Sequence, residues 1–557
     1  MRFGYAAATI VLLVLTGPLF MNDGAVRGAS QDTQSDAWAL FFQWDDEAAR
    51  EKFGQALGQR ETLMAATVGA ALTRLPQPYD GGSYPAGREV LLSFGATREA
   101  RQASVAAGRD RAWLRLLEAA FGAEQASPAW SDLILAAEAL GTTGVLDQRT
   151  AWLLASRLVV SAPVTGTDAP QGGVSLRLVS ALEEVAAGAE SDEEVRHYLV
   201  RLYLRRGEAV QARRHARQLL LRQPSPRVAE AALRALSAAG DWAVASDAMT
   251  RVGATLPNAE STRQLWLAYL LLQEGRMGEA EALLRPLWAI PPEAAVSARM
   301  VQARARALWV IESRRWIDAR LSPSMSGMEP DVLAGELLSA GMAGVRVGNQ
   351  QQAMDALARM ALLVGDGDQA LPTVTTARPV APSSRPGVMR PGVAAIPTSR
   401  PMRPGATGTA FVSDDPVLIR QGLQRRRAAV MAQQMEAYSL FAEGRRDEAI
   451  VLARQAAAVA DEWPSDSVWP SPVKPAHELV GDFLLEARRP LEAMAAYQDS
   501  LNRWPLRSLS LLGMYRAAVM ARDAERAAAA RAQLASVWAR GDRSWSEIAE
   551  VLGPVRR

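Results

Sequence analysis

Gly207, Gly240, Gly275 and Gly348 each stand five residues before an alanine (Ala212, Ala245, Ala280 and Ala353), and Arg314 stands in the same relation to Ala319. The steps between these turn residues are 33, 35, 39 and 34 residues. Prolines close the first three units at Pro224, Pro257 and Pro292, each 17 residues after its glycine. A recurrence of this length leaves few folds open. Each unit is a supersecondary piece that cannot bury its apolar face alone, so neighbours must stack. Apolar residues at three- and four-residue spacing predict helices, two per unit. Alanine where the helices cross lets their axes approach, and proline stops the second helix before the next begins.

The period resumes later in the chain. Gly444 precedes Ala449, and Arg488 precedes Ala493, a step of 44 that contains the inserted stretch EWPSDSVWPSPVKP. Between the two runs, residues 367–416 hold five Arg-Pro pairs, at Arg378, Arg385, Arg390, Arg400 and Arg403, and no acid between Asp368 and Asp414. Proline removes donors and little apolar area is available to offset ordering, so a disordered or polyproline-like linker is expected there. The predicted organisation is a leader over 1–35, a helical region over 36–174, repeat blocks over 175–366 and 417–557, and a linker that lets the blocks move independently. The end of the chain, RGDRSWSEIAEVLGPVRR, is expected to cap the last unit.

The opening MRFGYAAATIVLLVLTGPLF has a positive start and an apolar run, the order of a secretory signal. Export to a periplasmic or extracellular compartment is therefore expected. The alternative is an uncleaved inner-membrane anchor over residues 3–21, since that uncharged run is just long enough to span a bilayer.

With 62 Lys+Arg against 60 Asp+Glu, the formal charge is +2, and no global attraction to nucleic acid or membrane follows. There is no cysteine, which excludes disulfides, thiol nucleophiles and thiolate metal sites. The three histidines, His197, His215 and His477, cannot assemble a metal site unless distant segments converge. No phosphate-binding loop, dinucleotide loop or nucleophile elbow is present. The expectation is a protein without enzymatic activity, cofactor or metal. A competing enzyme reading would have to use carboxylates alone in the region Asp36 to Val160, which lacks histidine. Asp45-Asp46 reads there as an exposed helix end. His215, flanked by arginines in a second helix, is expected on the surface.

The stretch Gly481 to Pro505 resembles a tetratricopeptide repeat (TPR). Gly481 and Leu484 lie on its first helix, Ala493 and Tyr497 on its second, and Pro505 closes it. Ser500 stands where a second small residue is usual. The units at Gly207, Gly240 and Gly275 are similar. The resemblance covers roughly residues 193–363 and 429–538, and leaves a Sel1-like relative open as the alternative. It implies an all-α solenoid of helical hairpins that binds peptide or protein segments on the face formed by the first helices.

Threaded on that pattern, His197, Arg201, Arg205, Arg227, Glu230, Arg234, Tyr269 and Gln273 share the first block's concave face. Its arginines would attract an acidic segment; the competing reading is a solvated charged face. Arg201 and Ala231 stand where the carboxylate clamp of chaperone-binding relatives has lysine and asparagine, so that subtype is not supported. The second block's face carries Tyr438, Phe441, Glu478, Asp482, Glu486 and Arg516. The function expected is a scaffold or adaptor of the cell envelope, with a self-assembling structural component as the alternative. Nucleic acid is not expected as a partner, and the membrane is met only through the leader.

Overall fold

The computed structural model describes residues 23–57, 63–75, 84–106, 108–122, 130–161, 169–188, 192–222, 224–256, 259–322, 326–365, 416–462 and 473–553. Among them there are 25 α-helices and no strand. Residues 1–22 of the expected leader, the Arg-Pro linker before Pro416, Pro257 and the tryptophans Trp463 and Trp469 lie outside the described residues, while residues 23–35 form part of a helix. No helix of the described residues is long and apolar enough to cross a membrane.

The first nine helices are α1 (Asp23–Phe42), α2 (Asp46–Ala56), α3 (Leu63–Leu72), α4 (Tyr84–Leu92), α5 (Arg98–Ser104), α6 (Arg109–Phe121), α7 (Trp130–Thr142), α8 (Gln148–Ser161) and α9 (Ala169–Gly188). The repeats follow as α10 (Glu193–Arg205), α11 (Ala209–Leu220), α12 (Pro226–Ala238), α13 (Trp242–Val252), α14 (Glu260–Gln273), α15 (Met277–Trp288) and α16 (Val296–Ser313). Then come α17 (Pro330–Val347), α18 (Gln350–Gly365), α19 (Pro416–Ala442), α20 (Arg446–Asp461), α21 (Ala476–Glu486) and α22 (Pro490–Arg503). The chain closes with α23 (Ser508–Ala521), α24 (Ala524–Val537) and α25 (Ser546–Leu552). Consecutive helices pack on one another through most of the chain, and the first helices of neighbouring units also touch, α10 on α12, α14 on α16 and α21 on α23.

Local chemistry sets the helix ends. Asp45, Asp192 and Asp523 each accept a backbone N–H of the first turn they precede, and Pro226, Pro330 and Pro490 open α12, α17 and α22. The recurrent turn residue is left-handed in every unit. Gly207, Gly240, Gly275, Gly348 and Gly444 have φ of 71–86°, while Arg314, Arg488 and Arg522 sit at 57–59°. An L-residue there costs about 1–2 kcal/mol, so the three arginines are held by the units around them. The alanines five residues on, Ala212, Ala245, Ala280, Ala449 and Ala493, are fully buried at the crossings.

Gly481 is required by close approach. A Cβ there would stand 2.7 Å from the Tyr497 ring, and Gly513 meets the same ring. Tyr497 thus fills the gap between two glycines.

Four expectations are corrected. The unit at Arg314 has no second α-helix; a 3-10 turn at Trp316–Asp318 replaces it, and Ala319 follows in extended conformation. Pro323 arrives too soon after the turn for several helical turns to form. His215 is not on the surface: its ring stacks on Tyr203 at 5.9 Å, and Nε2 lies 2.9 Å from Glu183. The repeats before and after the linker are not separate in their packing, because one hydrophobic cluster joins Ile311, Leu338 and Met342 to Met435, Phe483 and Tyr497. Nor does the C-terminal end cover only the last unit. Trp538 and Ile548 rest against Gly275, and the Asp542 amide donates to the Gly275 carbonyl at 2.8 Å. At the other end a single cluster runs from Ala37 to Trp309, so residues 36–174 share a core with the first repeats.

Candidate functional site

Two seams form where distant segments meet the first-helix faces. At the first, the turn between α1 and α2 lies against α8 and α10. The Tyr198 hydroxyl donates to the Phe42 carbonyl at 3.0 Å, which fixes the turn's position. Trp44, in that turn, is left-handed at φ 65°. The Arg157 guanidinium, from α8, lies 3.7 Å from the Phe41 ring centroid and 4.4 Å from that of Trp44, and donates through Nη2 to Asp46 at 2.5 Å. Arg201 also lies over Trp44, at 4.5 Å. Burial pushes the Asp46 carboxyl up despite Arg157, and pushes Arg157 down.

At the second seam, the start of α23 meets α14, α16 and α21. Arg507 donates to Glu478 at 2.7 Å and pairs with Glu312 at 2.7 Å, all three being at most 3% exposed. Lys474 bridges Glu478 at 2.8 Å and Asp482 at 2.6 Å. Gln273 donates to Glu312 at 3.0 Å and accepts from the amide and hydroxyl of Ser508. Ser510 donates to Glu478 at 2.6 Å. Burial opposes ionisation of Glu478, but Arg507 and Lys474 overcome it and hold the carboxyl far below the usual range. Glu312 is pushed up, by burial first. Beside this network Trp242 donates to the Leu506 carbonyl at 2.8 Å, and the Pro505 turn rests on the Gly240 backbone. Arg540 reaches Asp247 at 2.8 Å and Glu274 at 2.5 Å.

These seams decide what the sequence-predicted face can offer. His197 is 1% exposed and accepts from Arg201 Nε at 2.7 Å; burial, then Arg201 and Arg157, hold its pKa well below the ordinary value. Tyr269 is buried with the edge of Trp242 at 5.7 Å, and burial pushes its hydroxyl up. Arg205 donates to the Val160 carbonyl at 3.3 Å, and Arg234 pairs with Glu230 at 2.7 Å; both remain partly exposed. Arg227 is exposed.

In the later units Tyr438 is buried with Arg346 at 5.6 Å from its ring, and Phe441 stacks on Phe483 at 4.5 Å. Asp482 accepts from Tyr497 at 2.6 Å as well as from Lys474, and Glu486 pairs with Arg346. Arg516 pairs with Glu550 at 2.6 Å.

Sequence reasoning missed Trp44, Arg157, Glu312, Lys474 and Arg507. Asp46 was visible only as one of two adjacent acids at a helix end. No group of acids and histidines among the described residues could hold a metal ion. No protein-family model matches the chain, and no curated protein matches it.

Proposed function

We propose that this protein is a TPR-like, non-enzymatic scaffold of the cell envelope that holds an acidic peptide or protein segment. The observation that supports the reading is the placement of Arg205, Arg227 and Arg234 on the neighbouring helices α10 and α12, open in part to solvent, with Arg227 near enough to act on the Asp46–Arg157 pair of the first seam. Arginine forks suit carboxylates, and a partly desolvated face strengthens each pair relative to open water. His197 and Tyr269 support the face from beneath rather than touching a partner. An N-terminal signal or anchor would place the repeats outside the cytoplasm.

The test is photo-crosslinking at the α12 position next to Arg227 in the full-length exported protein, with captured partners identified by mass spectrometry. The Arg227→Glu, Arg234→Glu double variant should lose capture of an acidic partner by at least tenfold. Equal capture by the double variant would overturn the reading.

A further inference from the structure

Between α24 and α25, the residues Arg540, Gly541 and Asp542 are each met separately by the edge of α13, α14 and α15. Arg540 donates through Nη1 to Asp247 at 2.8 Å and through Nη2 to the Ala243 carbonyl at 3.2 Å, and Nη2 lies 2.5 Å from the Glu274 carboxylate. Gly541 passes so close that a Cβ there would stand 3.1 Å from the Glu274 carbonyl oxygen. Asp542 donates its amide to the Gly275 carbonyl at 2.8 Å, and its carboxylate accepts from the Gly278 amide at 2.7 Å, in the first turn of α15. That is the end of a helix where a negative charge is favoured. Three residues on, the Trp545 indole donates to the Ser313 carbonyl at 3.3 Å, at the end of α16. A guanidinium between two carboxylates, a position with little room for a side chain and a carboxylate on backbone amides together read a tripeptide residue by residue.

We propose that the edge of α13, α14 and α15 is a recognition site for a segment carrying arginine, glycine and aspartate in succession. The chain fills it with its own residues 540–542, and the same segment on another molecule enters it when this clasp opens. The receiving groups stay satisfied without the clasp. Ser246 donates to Glu274, and Arg276 stands 3.8 Å from the same carboxylate, so the departure of Arg540 does not leave a buried charge alone. The pairs that hold the clasp are weak, because the Arg540 and Asp247 side chains are 40% and 60% exposed. Its apolar support is a small cluster of Leu511, Leu512, Leu534, Trp538, Ile548 and Val551. Local opening of such a unit leaves the Arg507 network in place, since none of that network's hydrogen bonds involves residues 538–548. The site shares no residue with the face of Arg205, Arg227 and Arg234, and takes a ligand of different sequence.

The test is fluorescence anisotropy of a labelled synthetic peptide, residues 536–547 of this sequence, titrated with the full-length protein. The tethered clasp competes in the wild type, so the Arg540→Ala, Asp542→Ala double variant should bind the peptide at least about tenfold more tightly. A peptide with alanine in place of both its arginine at 540 and its aspartate at 542 should bind that variant at least about tenfold more weakly than the native peptide, the loss of one charge-assisted contact or more. Equal binding of the two peptides would overturn the recognition of this tripeptide, and so would no binding of either. Wild-type binding as tight as that of the double variant would overturn the filling of the site by the chain's own clasp. If the double variant does not fold, hydrogen exchange in the wild type decides. The Gly278 amide, bonded to Asp542, should then exchange faster than the Ser508 amide, bonded to Gln273. Equal or slower exchange at Gly278 would overturn the opening of the clasp.

Discussion

At the first seam a guanidinium, Arg157, is buried between two aromatic rings with one carboxylate; at the second, Arg507 is buried between two carboxylates with a lysine and a ring of hydroxyl and amide groups around them. Both seams lie on first-helix faces, and both bring together segments more than 100 residues apart. They differ in how far the buried polar groups are satisfied. A complete network locks one arrangement of backbone, since any shift leaves several charges unpaired at once. A seam that rests on rings tolerates small shifts. The second seam therefore fixes the backbone more tightly than the first.

The largest effect should come from breaking the complete network. Arg507→Met leaves Glu312 buried without a cation and Glu478 with Lys474 alone, and should cost about 3–5 kcal/mol in denaturant unfolding. Converting Glu312 to glutamine in the same chain should recover much of that loss. A single variant no less stable than the wild type would mean that the two halves do not depend on this contact. Next in size is Gly240→Ala, which places a Cβ against the Pro505 carbonyl at a left-handed position and should cost about 1–3 kcal/mol. The same change at Gly348, left-handed but with open space around it, should cost only the backbone part, about 1 kcal/mol.

Acid should separate the seams by pH window. His197 has a folded pKa below its ordinary 6.5, so the unfolded chain binds its proton first. Its stabilisation is complete above that value and is lost as the pH falls through 6.5 towards the folded pKa, with a limiting slope of about 1.4 kcal/mol per pH unit. Glu478 is also depressed, from 4.5, so its contribution is lost only below about 4.5. His197→Gln should reduce the slope of the stability profile just below pH 6.5, where Glu478 does not yet titrate. An unchanged profile in the upper window would mean that His197 titrates normally in the fold. The smallest effect is expected from Arg227→Glu, which is exposed and should move stability by less than about 0.5 kcal/mol while weakening partner capture.

The repeat was legible because it is local. The turn, the alanine and the closing proline are fixed by sterics within one unit, so a single sequence carries them, and the left-handed positions fell where the period placed them. The missing second helix after Arg314 was less legible, because Ala319 keeps the spacing while Pro323 and the short segment before it deny the helix its length. The seams were not legible at all. They depend on how the stack turns over many units, a sum of small angles that no residue pair records. Threading put His197 and Arg201 together, and the structure joins them by a hydrogen bond, but nothing in their neighbourhood announced that Trp44 would lie over Arg201.

The contact of Trp538, Asp542 and Ile548 with Gly275 also sets a timetable for synthesis. A ribosome delivers α14 and α15 more than 200 residues before the helix that will cover their turn. Through that interval, at about 5–20 residues per second, the Gly275 turn waits uncovered for tens of seconds or less. Gln273 and Glu312 wait likewise for Ser508 and Arg507. The nascent chain is thus most in need of protection while its middle is complete and its end is still in the tunnel. Loss of residues 538–557 would leave the Gly275 turn permanently uncovered, though Gln273 and Glu312 would still meet Ser508 and Arg507.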